Sequence, residues 1–263
     1  MTRVAVITPY YRTPTNWLRQ CRESVRRQTH PCTHVFVADG EAQAVVDTFG
    51  EGVQHVVLPV NHADYGDTPR AVAGMLAAGQ GFDAIAYLDS DCWWRPNHVE
   101  RLLALQAETG AAVLSAMRSY HHVETHELMG VCLGSDGKTF VDTNCLMLMR
   151  PAFGTVAGVW ATMDPDFHPI DDRVIWWTIL QSGLARAHSM GVTVCYRVKE
   201  PGVYQGFGRP VPPGLKKNPA LGRAHRKWLA AGYPELTPVW RAMDARRLKN
   251  GAVPERYADK FRE

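Results

Sequence analysis

The chain has 263 residues, a formal net charge of +3, 46% hydrophobic and 21% charged residues. That composition is one of an ordinary globular protein and excludes a disordered, collagen-like or disulfide-scaffold chain. No run of about 18 apolar residues occurs, so no bilayer span is expected, and the apolar start at Val4 breaks at Pro9 as a strand does. Six cysteines without paired spacing and 11 histidines without a C-x-x-C support neither a zinc module nor a disulfide framework, so a reducing cytoplasm is the expected setting.

Strand and helix patterns alternate along the first hundred residues. Val4–Ile7 is a short, continuously apolar strand. Pro14 to Arg27 reads as a helix with Trp17, Leu18, Cys21 and Val25 on one face. Val35–Ala38 is a second buried strand, ending in Asp39-Gly40. Glu41–Phe49 is expected as a short helix, Gln54–Leu58 as a third strand and Asp67–Ala78 as a helix. Ala84–Leu88 is a fourth strand, ending in Asp89-Ser90-Asp91. A helix follows from Pro96 to about Glu108, then a strand over Ala112–Ala116. The pattern weakens afterwards. His121–Glu127 reads as a polar loop, Val141–Met149 as a strand and Pro151–Val156 as a short helix. Asp171–Gln181 is a clear helix and Val192–Val198 a last strand. A Pro- and Gly-rich loop runs to Pro219, followed by helices over Ala220–Ala231 and Leu236–Asn250.

Strands and helices alternating at this spacing build a mostly parallel sheet covered on both faces. Ligands of such sheets bind beyond the carboxyl ends of the strands, where Thr8, Asp39, Asp89 and Asp91 fall. Two aspartates flanking one residue at a strand mouth offer hard oxygen donors to Mg²⁺ or Mn²⁺. The competing reading is a turn or cap cluster ahead of Pro96. Placement behind a buried strand, with further acidic groups on the same rim, favours a site.

With these residues in view, the chain resembles a family 2 glycosyltransferase of the GT-A fold, from Val4 to about Val198. The resemblance is carried by Val-Ile-Thr-Pro-Tyr-Tyr-Arg (6–12), Val-Phe-Val-Ala-Asp-Gly (35–40), Gly-Asp-Thr-Pro-Arg-Ala (66–71), Tyr-Leu-Asp-Ser-Asp (87–91) and Ile-Asp-Asp-Arg (170–173). It implies an α/β fold with a mostly parallel central sheet flanked by helices. The GT-A domain would occupy residues 1–200, with a nucleotide-binding half over 1–118 and an acceptor-binding half over 119–200. Residues 201–263 would add a loop and a basic helical tail.

The resemblance also implies roles. Thr8, Pro9 and Tyr11 would line the nucleoside pocket, and Asp39 would accept a hydrogen bond from the base. Asp67, Arg70 and Ser90 would lie near the nucleotide, and Asp89 by the ribose. Asp91, with Asp89, would hold Mn²⁺ or Mg²⁺. The pair Asp171-Asp172 matches the motif that contains the catalytic base. Neighbours on a helix point about 100° apart, so one faces the substrate; the family motif selects Asp172, and Asp171 has an equal reading as a helix cap.

The implied reaction is inverting, metal-dependent transfer from a nucleotide-sugar, a UDP-sugar favoured, to a hydroxyl of a glycan, lipid-linked or small-molecule acceptor. Two alternatives stand beside it: a non-catalytic sugar-nucleotide or glycan-binding protein on the same scaffold, and a nucleotidyltransferase. The Thr8–Arg12 segment lacks the Gly-rich phosphate loop of the latter, and retention of Asp91 with the 171–172 pair argues against the former. Where many relatives have a metal-binding His after Tyr-Arg, this chain continues Tyr196-Arg197-Val198-Lys199-Glu200. Trp93 and Trp94 are candidate sugar contacts, whereas Trp176 belongs to the core. Residues 1–200 carry a net charge of −5 and residues 201–263 one of +8. The basic tail reads equally as a contact for the inner face of a membrane and as a solvated appendage; no nucleic-acid motif accompanies it. Oligomeric state stays open.

Overall fold

The computed structural model describes residues 1–234. Its strands are β1 (Val4–Tyr10), β2 (Cys32–Ala38), β3 (Val53–Val57), β4 (Ala84–Tyr87), β5 (Trp93–Trp94), β6 (Val113–His121), β7 (Leu128–Val131), β8 (Leu146–Met149) and β9 (Arg186–Arg197). They form one nine-stranded sheet in the order β3-β2-β1-β4-β8-β6-β9-β5, with β7 paired to β6. Strands β1 to β4 are parallel neighbours. β8 runs against both β4 and β6, and β9 returns parallel to β6. The sheet is therefore mixed, with β1–β4, β6 and β9 sharing one direction.

The helices are α1 (Thr15–Arg26), α2 (Asp67–Gly79), α3 (His98–Thr109), α4 (Arg150–Thr162), α5 (Asp171–Gln181), α6 (Pro201–Gly206) and α7 (Pro219–Ala230). β1 is buried along its whole length, which explains its unbroken apolar run. Pro9 is tolerated inside it because β4 stops pairing at Ile7, so the missing N–H falls where no partner strand remains on that side. On one face, Trp160 of α4 packs edge-on against Tyr87 of β4, with ring centroids 5.7 Å apart. Each buried aromatic of this size contributes roughly 2–3 kcal/mol by removing apolar surface from water. α7 is fastened by Trp228, which stacks on Tyr233 at 4.1 Å and meets Phe167 edge-on. The basic tail thus packs on the body at least as far as Tyr233; the helix expected over Leu236–Asn250 lies outside the described residues.

Several boundaries differ from expectation. Glu41–Phe49 forms only a 3-10 turn, Val46–Thr48, since so short a segment with adjacent β-branched valines has little to repay helix nucleation. The strand expected from Val141 begins at Leu146. Asp142 accepts the Asn144 N–H at 3.0 Å and starts a 3-10 turn over Thr143–Cys145 instead. α4 continues to Thr162, β9 begins at Arg186, and the loop after residue 200 opens with α6. The short strands β5 and β7 were not expected. The cysteines are free thiols, all buried except the half-buried Cys32.

Candidate active site

A cavity of about 1700 Å³ opens at the carboxyl ends of β1, β2 and β4, closed opposite by the start of α5 and by the segments around Lys199 and Lys217. Pro9, Tyr11, Asp39, Arg70, Asp89, Ser90, Asp91, Asp171 and Asp172, all singled out from sequence, line it together. Thr8 and Asp67 do not. Thr8 is fully buried one layer beneath, its hydroxyl 2.8 Å from His34 Nε2. Asp67 is fully buried at the start of α2, its Oδ2 2.6 Å from His168 Nδ1. Both lie in the layer behind the cavity wall and not on its surface. Trp93 and Trp94 are also absent from the lining. Trp94 is buried and donates its indole N–H to the Asn144 carbonyl, and Trp93 packs against His121 and His126.

On the nucleoside side, Asp39 accepts the backbone N–H of His62 at 3.0 Å, and its Oδ1 lies 2.8 Å from His62 Nδ1. The neighbouring Gly40 has φ +88°, and a Cβ there would lie 2.4 Å from Asn61 N, so only glycine lets these loops close together. Gly66, at φ +90°, similarly brings the start of α2 against the Pro9 ring.

Arg70 joins three elements. It is 4% exposed. Its guanidinium donates to Asp89 Oδ1 at 2.6 Å, to Asp171 Oδ2 at 3.2 Å and to the Tyr65 carbonyl at 3.0 Å, and it lies over the Trp160 ring. Asp89 is held further by Asn144, which accepts the Asp89 N–H at 2.6 Å and donates to Asp89 Oδ2 at 2.7 Å. Burial opposes ionisation of Asp89, yet Arg70 and the Asn144 amide outweigh it and hold the carboxyl below its ordinary value. The same Asn144 amide donates to Asp142 Oδ1, and Asp142 is ion-paired with Arg118. A continuous polar chain therefore runs from α2 across the strand mouth to β6.

Asp91 faces Lys199, whose ammonium is ion-paired with Asp91 Oδ2. Cys92 Sγ approaches Asp91 Oδ1 at 3.4 Å, and the backbone carbonyl of Asp91 accepts Arg197 Nε at 3.0 Å. Asp89, Asp91 and Cys92 bring one potential ligand atom each to within 4.8 Å of one another. Burial pushes the Cys92 thiol well up, so it stays protonated and is a poor donor for a hard cation.

Joined to Asp89 through Arg70, Asp171 opens α5 together with Asp172. Asp171 is committed: it accepts Arg70 and the Asp172 N–H, the latter at 2.6 Å. Burial first, and then Asp67, raise its carboxyl well above the ordinary value. Among the described residues the Asp172 carboxylate lines the cavity without a hydrogen-bond partner, and burial with the neighbouring Asp171 lifts it to about 7. That places it where a base balances availability against strength.

The mixed, mostly parallel sheet flanked by helices, with a cavity at its strand ends, is the GT-A fold. Residues 5–131 match the family described as Glycosyl transferase family 2. S. aureus TarS 1-349 in complex with UDP superposes with a TM-score of 0.58 at 14% identity, over 78% of this chain and 63% of that one. The complex of TarS 1-349 with UDP-GlcNAc gives 0.55 at 15%, over 76% of this chain and 59% of that one. In the longer S. aureus TarS structure, at 14% identity and TM-score 0.58, the match covers 78% of this chain and 38% of that one. The chain thus spans less than two thirds of these structures, and at such identities the likeness is one of fold. No curated protein sequence matches the chain.

Sequence reasoning missed Asn144, Asp142, Arg118 and the part played by Lys199. Asn144 and Asp142 fall where a strand was expected, and only their Asp-x-Asn turn chemistry marks them. No helix of the described residues is long and apolar enough to cross a membrane.

Proposed function

We propose that the chain transfers a hexosyl group from a nucleotide-sugar, with UDP favoured as the nucleotide, to an acceptor hydroxyl by one inverting displacement. The observation that carries this reading is Asp172, which lines the cavity at the start of α5, beside the acidic strand mouth that Arg70 links to Asp171. The nucleoside would lie against Pro9, Tyr11 and Asp39, with Ser90 and Asp89 beside the ribose. The acceptor would enter between α5 and the 196–203 segment. Its oxygen attacks the anomeric carbon, the bond to the diphosphate breaks with its electron pair, and Asp172 receives the hydroxyl proton. Asp171 holds Arg70 and the first turn of α5, so it orients the base and does not compete with it. The UDP and UDP-GlcNAc complexes of the TarS fold relatives support the choice of donor. The division into a nucleotide half over 1–118 and an acceptor half over 119–200 is part of the same proposal.

Mn²⁺ or Mg²⁺ would have Asp91 and Asp89 as its donors. Each oxygen of this pair is already engaged: Asp89 by Arg70 and Asn144, Asp91 by Lys199 and Cys92. The remaining nearby donor is a protonated, soft thiol. The corner as built does not fit a resident divalent ion, and no step above passes through one.

The test is Asp172→Asn with nucleotide-sugar donors. Transfer and donor hydrolysis are expected to fall about 10²–10⁴-fold while nucleoside diphosphate binding survives. Retained turnover would remove Asp172 from the chemistry, and binding without any turnover in the unmodified protein would favour the non-catalytic alternative.

A further inference from the structure

We propose that the Lys199 ammonium, seated on Asp91, is the cation that takes up the charge of the departing diphosphate, so that donor binding and transfer need no divalent ion. The inference rests on the nucleotide-sugar reading above.

Lys199 lies in the short link between β9 and α6 and lines the same cavity as Asp89, Ser90 and Asp91. An ammonium carries three donors, and Asp91 takes one of them. Its side chain is 49% exposed and lines the cavity. The link itself is fixed. Val198 N–H extends the sheet to the His121 carbonyl at 2.9 Å, and the Tyr204 hydroxyl donates to the Val198 carbonyl at 3.2 Å.

Charge decides between this cation and an added one. Asp91 is paired with Lys199, and Asp89 with Arg70, which Asp171 and Asp67 share. A divalent ion entering here would have to displace Lys199 and lie against its charge, losing much of the attraction that acidic donors provide. A diphosphate gains from the same arrangement: charge-assisted hydrogen bonds from a fixed ammonium strengthen as the leaving group collects electrons. Asp91 is then a positioning residue for Lys199. The transfer balances without a co-reactant. The acceptor oxygen gains the anomeric carbon, the diphosphate leaves with the electron pair, Asp172 gains the proton, and Lys199 keeps its own.

The experiment is calorimetric titration of the full chain with UDP, GDP, CDP and ADP, in EDTA and in MnCl₂. One diphosphate is expected to bind equally in both buffers. Lys199→Met, melting like the parent, is expected to weaken that binding about tenfold or more in EDTA, and Lys199→Arg to retain most of it. Binding that requires Mn²⁺ overturns the inference and leaves the donor reading standing; this comparison uses unmodified protein and needs no variant to fold. Binding indifferent to Lys199→Met also overturns it. Absence of binding by every diphosphate in both buffers overturns the donor reading and this inference together.

Discussion

At Asp172 a carboxylate sits where neither water nor a cation fully stabilises its charge, and burial with Asp171 beside it lifts the group to about 7. A base must be ionised to act, so the transfer rate is expected to rise with pH through about 7 and level off above it. A pH profile of kcat/KM checks this, and a rate already flat from pH 5 upward would assign the base elsewhere. Asn144 is the other residue on which much depends, since its single side chain serves Asp89 on two atoms and Asp142 on a third contact. Asn144→Leu leaves those acids underbonded and is expected to cost about 2–4 kcal/mol, read from denaturant unfolding. The acids of the site were legible from sequence because they follow apolar strands. Asn144 was not, because a buried polar bridge between two chain segments leaves no periodic mark, and Thr8 and Asp67 were placed one layer too far out for the same reason.

Elements whose period is complete are legible in the sequence: β1, β2, β4 and α1 to α3 all fall within a few residues of expectation, and α5 matches over Asp171–Gln181. The second half was harder. β5 has only Trp93 and Trp94, and β7 is a partner strand of β6 whose existence depends on that pairing. Pro201, Gly202 and Gly206 give α6 the sequence signature of a loop, although Pro at a first turn starts a helix readily. This short helix matters through Tyr204, which is fully buried and whose hydroxyl also accepts the Val123 N–H at 2.9 Å. It therefore ties α6 to the end of β9 and to the loop after β6. Tyr204→Phe is expected to lower stability by about 1–2 kcal/mol and to raise KM for the donor more than it lowers kcat. An unchanged KM would show that the Lys199 link is held by other contacts.

Across the whole molecule, buried titratable groups pull stability in opposite directions. Burial lifts Asp67 and Asp172 to about 7, above the ordinary 3.8. Their folded forms hold protons that the unfolded chain releases, so this contribution is complete below about pH 4 and is lost as pH rises through 7. Burial depresses His98 to about 3 and His121 to about 4, below the ordinary 6.5. That contribution is complete above about 6.5 and is lost as pH falls toward those values. Asp172→Asn is accordingly expected to stabilise the protein by about 1–2 kcal/mol at pH 8, the gain closing by pH 4, as followed by melting temperature. A gain independent of pH would place its origin outside the carboxyl's titration.

The burial of the thiols offers a simple reporter of integrity. Burial pushes Cys21, Cys92 and Cys145 well up, Cys195 to about 11 and even the half-buried Cys32 to about 12. Intact protein should therefore consume Ellman's reagent sluggishly, beginning at Cys32 on the edge remote from the cavity, whereas a denatured sample should release all six equivalents at once. Colour development over time would thus count opened molecules in any preparation, with the binding cavity left unlabelled.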